Sequence, residues 1–155
     1  MDLKLKGKRV FVSGSSKGIG KAIAESLLNE GAQVIINGRN TETLREVENE
    51  LRKKYKNANI SSIAADFSKI NEVNQLIDEL PSVDILINNV GIFEPKQFEE
   101  IPDEGWFRFF EVNVLSGIRL SRHILPTMKK KNWGRIIFIS RSEEHTSELQ
   151  SLLII

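Results

Sequence analysis

The stretch Ser13-Gly14-Ser15-Ser16-Lys17-Gly18-Ile19-Gly20 decides the fold. It follows a short apolar run, Val10-Phe11-Val12. It leads into a helical pattern whose apolar positions are Ile19, Ala22, Ile23, Ala24, Leu27 and Leu28. A strand, a glycine-rich turn and a helix, in that order, present backbone N–H groups and a positive helix end to a phosphate. The spacing Gly14-x-x-x-Gly18-x-Gly20 differs from the G-x-G-x-x-G dinucleotide fingerprint. The loop alone therefore points to a nucleotide, and its neighbours must say which.

Outward from the loop the chain alternates strand and helix. Strands are predicted over residues 8–13, 32–37, 59–65, 83–88 and 134–139. Helices are predicted over 18–29, ending at Gly31, and over 41–56 with Leu44, Val47, Leu51 and Tyr55 on one face. Ser68 is expected to cap the next helix, whose apolar positions are Val73, Leu76, Ile77 and Leu80 before Pro81. A loop with Pro95 and Pro102 leads to an aromatic helix over 103–114. A longer helix containing Pro126 runs from there to about 131. Strands this apolar are covered on both faces, as in a parallel sheet. Repeated βα units with right-handed crossovers give an α/β, doubly wound fold.

Composition narrows the function. The 155 residues suit one domain, with 40% apolar and 28% charged content. A net charge of +1 carries no signal for nucleic acid or a membrane surface. Arg52-Lys53-Lys54 and Lys129-Lys130-Lys131 fall at predicted helix ends, where cations favour the dipole. With no cysteine there is neither a disulfide framework nor a thiolate metal site. Glu143, Glu144 and His145 lack the His-Glu-x-x-His spacing, so no metal is expected. The polar N-terminus and the lack of a long apolar run make a cytoplasmic protein the expectation.

Further residues sharpen the nucleotide reading. Asn88-Asn89-Val90-Gly91 closes the fourth predicted strand, Asp66-Phe67 closes the third, and Asn113 marks the junction of the aromatic and long helices. In open α/β sheets, ligands bind outside the carboxyl ends of the strands. The second strand ends in Asn37-Gly38-Arg39-Asn40, with no carboxylate before Glu42. An acid there would accept from the ribose 2′-hydroxyl of NAD and repel the 2′-phosphate of NADP. Arg39 instead offers a guanidinium fork to a phosphate, and Lys17 adds a second positive charge.

Together these motifs resemble the short-chain dehydrogenase/reductase family, in order and spacing, from residue 1 to about 140. The resemblance implies a Rossmann-like parallel sheet of about five strands in order 3-2-1-4-5, with helices on both faces and the fold incomplete. It implies that Gly14, Ser16, Gly18, Ile19 and Gly20 line a pyrophosphate. Asp66 would bond the adenine with Phe67 beside it, and Asn88, Asn89 and Gly91 would floor the adenosine ribose. Within the family, Lys17 and Arg39 go with NADP, so NADPH is expected to bind more tightly than NADH. Asn113 corresponds to the family's Asn that helps hold a water relay. Val90 stands where the family usually has Ala, a change expected to be tolerated. The implied partner is a small carbonyl or alcohol substrate, and the implied parent is a homo-oligomeric oxidoreductase.

The chemistry that should follow is missing. Carbonyl reduction needs a proton donor at the substrate oxygen. The family uses a Tyr in a Tyr-x-x-x-Lys helix, aided by a Ser after the fifth strand. Here the single tyrosine is Tyr55, followed four residues later by Asn59. Ser140 matches the residue before the catalytic Ser, whose place Arg141 takes. From Arg141 to Ser151 the chain reads Arg-Ser-Glu-Glu-His-Thr-Ser-Glu-Leu-Gln-Ser, which matches the translation of a common sequencing-library adapter. The expected organisation is therefore an NADP-binding domain over 1–140 and a non-native tail over 141–155. The intact parent is expected to be an NADP-dependent reductase and the chain as written to be inactive and prone to aggregate. The alternatives are a non-catalytic NADP-binding sensor or scaffold, and an epimerase or dehydratase of the same superfamily.

Overall fold

The computed structural model describes residues 3–140. The expected tail over 141–155, and with it Glu143, Glu144 and His145, lies outside the described residues. The elements in chain order are β1 (Arg9–Val12), α1 (Gly18–Asn29), β2 (Gln33–Gly38), α2 (Thr41–Lys54), β3 (Ile60–Ala64), α3 (Ile70–Glu79) and β4 (Ile85–Asn88). A short 3₁₀ turn (Phe98–Glu100), α4 (Asp103–Phe110), a π-helical turn (Glu111–Leu115), α5 (Ser116–Lys130) and β5 (Arg135–Phe138) complete the described chain.

The strands form one parallel sheet in order β3-β2-β1-β4-β5. The register pairs Val12 with both Ile36 and Ile87, and Ile87 with Ile137. Successive side chains alternate between faces. Val10, Val12, Val34, Ile36, Ile85 and Ile87 meet Ala24 and Leu28 of α1 and Leu44, Val47 and Leu51 of α2. Phe11, Ile35 and Leu86 meet Val73 and Leu76 of α3 and Leu120, Ile124 and Met128 of α5 on the other face. Each fully buried Val, Leu or Ile contributes roughly 2 kcal/mol. That two-sided burial is why the central strands read as unbroken apolar runs.

Local chemistry sets the helix ends. Asn40 caps α2, its side chain accepting from the Thr43 N–H at 2.9 Å. Glu42 in the first turn of α2 and Arg52, Lys53 and Lys54 in its last both suit the dipole. Gly31 ends α1 with φ +79°, a left-handed geometry that glycine adopts without strain.

Three expectations shift. Ser68 does not cap α3. Lys69 stands at that position, and Ser68 is held in the preceding turn by Asp66. Tyr55 lies just past α2 in extended backbone, half-buried against the core, with its hydroxyl 3.4 Å from Glu25 Oε2. The aromatic helix does not run smoothly to 114. It gives way at Glu111 to a π turn, a local irregularity that no side-chain periodicity reports.

Candidate active site

The carboxyl ends of β1, β2, β3 and β4 surround a cleft of about 360 Å³. Polar side chains, not backbone ladders alone, hold its floor. Ser13 and Ser15 are fully buried. The Ser13 hydroxyl donates to Ile87 O at 3.3 Å and accepts from the N–H groups of Asn89 and Val90 at 2.9 and 3.1 Å. The Ser15 hydroxyl donates to Val12 O at 2.7 Å and accepts from Asn37 N–H at 2.9 Å. Asn89 Nδ2 donates to Ser13 O and Gly14 O at 3.2 and 2.9 Å. Buried polar groups are costly unless paired, and these pairs lock the glycine loop to its neighbours.

Each loop glycine has a separate reason. Gly14 and Gly18 adopt φ +60° and +57°, which favour glycine. Gly20 is buried where a Cβ would collide with Gly14 O and stand 2.5 Å from Asn89 Nδ2 and 2.9 Å from Ser15 Cα. Its absent side chain lets α1 approach β1. Lys17 stands at the N-cap of α1 in extended backbone and makes no side-chain cap, and the first turn holds no acid. The first amides of α1 have no intrahelical partner and are not capped by the Lys17 side chain, an arrangement that favours an anion.

Lys17 and Arg39 lie at the rim, and Gly14, Ser16, Gly18, Asp66, Phe67, Asn89 and Gly91 line the same cleft. Ser16 is crowded by Gly38, whose added Cβ would sit 3.1 Å from Ser16 Cβ. The Asp66 carboxyl Oδ1 accepts from both the N–H and the hydroxyl of Ser68, at 2.9 and 2.7 Å. Burial opposes its ionisation, but the Ser68 bonds and the charges of Arg39 and Lys69 outweigh burial. The carboxyl stays below its ordinary range. The Asp66 N–H in turn donates to Glu72 Oε2 at 2.8 Å.

The remaining predicted residues stand apart from the cleft wall. Ile19 is exposed and Gly20 is buried behind the loop. Asn88 packs near Gly117, beside its β5 neighbour Phe138, and both polar atoms of its buried amide have no hydrogen-bond partner among the described residues. Asn113, on the π turn, spans one peptide. Its Oδ1 accepts from Ile92 N–H at 2.7 Å and its Nδ2 donates to Ile92 O at 3.1 Å. Ser140 is exposed, just beyond β5. Sequence reading missed Asn37, Ser68, Ile92 and Arg108 as cleft residues. For Asn37 a signal existed, a polar residue inside an apolar strand. Tyr55 lies on a different groove, beside Gly18, Lys21 and Glu25. Among the described residues no cluster of His, Cys, Asp or Glu could hold a metal ion. None of the helices there is long and apolar enough to cross a membrane.

The sequence model of the short chain dehydrogenase family matches residues 8–149. An uncharacterized oxidoreductase of Bacillus subtilis (strain 168), YvaG, is 50% identical over 140 residues, covering 90% of this chain and 53% of that protein. A second from the same organism, YvrD, is 46% identical over 156 residues, covering 99% of this chain and 58% of the other. The crystal structure of L-sorbose reductase from Gluconobacter frateurii, complexed with NADPH and L-sorbose, superposes with a TM-score of 0.83 at 32% identity. That match covers 89% of this chain and 54% of the reductase. The chain thus spans about half the length of the relatives it matches.

Proposed function

Since the chain belongs to the short-chain dehydrogenase family, we propose that its cleft binds NADP, NADPH more tightly than NADH, as the cofactor half of an oxidoreductase. The observation that carries this reading is the rim of the cleft. Lys17 and Arg39 stand there beside the uncapped start of α1, and β2 ends in Gly38 where an NAD site needs a carboxylate.

The residues present fit the group. Gly14 and Gly18, which line the cleft without side chains, and the start of α1 suit a pyrophosphate. Lys17 and Arg39 supply the two positive charges that a 2′-phosphate needs. Asp66 keeps Oδ2 clear of the Ser68 bonds, as an acceptor for the adenine amino group, with Phe67 alongside. Asn89 and Gly91 form the ribose side of the cleft, with Asn88 beneath the sheet end. Asn113 fixes the backbone at Ile92 on the nicotinamide side. When bound, the cofactor supplies or accepts a hydride.

The whole protein, on this reading, passes hydride between NADPH and a small carbonyl or alcohol substrate. The chain as given lacks the Tyr-x-x-x-Lys proton donor, because Tyr55 is its only tyrosine and Asn59 stands four residues on. It is expected to bind cofactor without turning substrate over. The second reading is a non-catalytic NADP-binding sensor or scaffold. The downstream reading frame separates the two, since a Tyr-x-x-x-Lys helix after the fifth strand belongs only to the enzyme.

Fluorescence titration of the chain with NADPH and NADH tests the cofactor reading. The expected result is about tenfold or more tighter binding of NADPH, the worth of one charge-assisted phosphate contact. Equal dissociation constants overturn it.

A further inference from the structure

Asn37 is the residue that the structure adds to the site. It is fully buried, at the end of an otherwise apolar β2, and its amide still lines the cleft. Its side chain uses both ends. Oδ1 accepts from Gly14 N–H at 3.1 Å, and Nδ2 donates to Ile63 O at 3.0 Å. Its backbone makes two more ties to the glycine loop, accepting from Ser15 N–H at 2.7 Å and donating to Ser15 Oγ at 2.9 Å. One residue on, Gly38 O accepts from Ala65 N–H at 2.9 Å.

Asn37 thus joins three segments that carry separate parts of the cleft. Gly14 opens the glycine loop. Arg39 follows Asn37 by two residues. Ile63 leads through Ala65 to the Asp66–Phe67 turn. The main-chain bonds to Ser15 hold the end of β2 to the glycine loop at one point. The side chain adds a second point on that loop, Gly14, and reaches the third strand at Ile63. It fixes how far the loop stands from the Arg39 turn and from the third strand. The Gly14 N–H is also spent on Asn37, so an anion must be met by the amides further along, at the start of α1.

We propose that Asn37 is a positioning residue that sets the spacing between the phosphate-binding loop and the Arg39 turn, and so the selectivity for the 2′-phosphate of NADP. This rests on the cofactor reading above. A dinucleotide with a 2′-phosphate engages both segments at once, so its affinity depends on their separation. NADH lacks the second anchor and depends on it less.

The test is NADPH and NADH titration of the full chain and of Asn37→Leu, which keeps the branched shape and removes both polar ends. The expected outcome is a fall of about tenfold in the NADPH-to-NADH affinity ratio, with NADH affinity within about twofold of wild type. A purely structural role lowers the melting temperature, or both affinities together, and leaves the ratio unchanged. That result overturns the proposal. A wild-type chain that shows no preference for NADPH overturns the cofactor reading and this inference with it. A wild-type preference that survives N37L overturns only the inference. Should N37L fail to fold, hydrogen exchange of the wild-type chain still decides. The Gly14 amide is expected to be protected, and exchange at the unprotected rate overturns the proposal.

Discussion

The two edges of the sheet differ in how they are finished. At β3 the exposed residues are Ser61 and Ala64, with Ser62 and Ile63 half-buried, and the strand is tied to α2. Ser62 Oγ donates to Glu48 Oε2 at 2.8 Å, and the Arg52 guanidinium donates to Ile60 O. At β5 the sheet exposes Ile137 by 44% and Phe138 by 56%, and Phe138 pairs in register with Asn88, whose side-chain amide has no partner among the described residues. The adjoining helix leaves Ile118 and Leu125 exposed as well. An edge with small or polar side chains resists pairing with another chain, and an apolar edge invites it. The same contrast holds at the carboxyl ends. On the β3 side Ser15, Asn37 and Asp66 are all paired, whereas on the β5 side Asn88 is not. The glycine-loop side is a closed polar lattice, and on the β5 side the described residues leave apolar side chains exposed.

The closed side should break hardest. Gly20→Ala places a methyl group against Gly14 O, Asn89 Nδ2 and the Ser15 backbone, and two of those contacts involve backbone that cannot swing away. Overpacking of this kind is expected to cost about 3 kcal/mol. Denaturant melts should show the loss, and NADPH titration should show binding weakened by more than tenfold. A variant as stable as wild type would mean that the lattice around Asn89 is looser than its hydrogen bonds indicate.

The open side is expected to respond in association, with little change in stability. Ile137→Lys puts a charge on the β5 edge and should raise the monomer fraction in size-exclusion chromatography. Ser61→Ile, the reverse change on the β3 edge, should lower it. If neither variant moves the elution profile, edge chemistry does not separate the two sides.

The strand–loop–helix units were legible because their signals are local. Val10-Phe11-Val12, the three glycines and the alternation of apolar runs are all visible within a few residues, and the family resemblance supplied the strand order. Lys17 and Arg39 could be placed at one cleft because Lys17 lies in the loop that follows β1 and Arg39 directly follows β2. The polar lattice was not legible, since Asn37 bonds Gly14 and Ile63 from 23 and 26 residues away. Ser68 was misplaced because its hydroxyl has two competing uses, capping α3 or closing the Asp66 turn, and only tertiary context decides. The π turn left no periodic trace either, although Asn113 depends on it to reach Ile92.

The smallest effect lies at the opposite end of the sheet, where the two sides meet. Asp84 Oδ2 accepts from Arg9 N–H at 3.0 Å, and Oδ1 accepts from Lys131 Nζ at 2.9 Å. The Asp84 carbonyl accepts from Arg135 N–H at 3.1 Å, so one residue pins β1, β4 and β5 together. Burial works against the charged form, but the Arg9 and Lys131 bonds prevail and hold the carboxyl below its ordinary value. The folded-state pKa is therefore lower than the unfolded one, near 3.9. Stability from this carboxylate is full above the unfolded-state value and is lost as pH falls through the folded-state value. Asp84→Asn should cost about 1 kcal/mol at pH 7, where the ion pair is lost, and progressively less below about pH 4. Urea midpoints of the two chains across that range should converge in acid. Midpoints that stay parallel would assign the cost to geometry alone and leave the junction of the two sides without an electrostatic part.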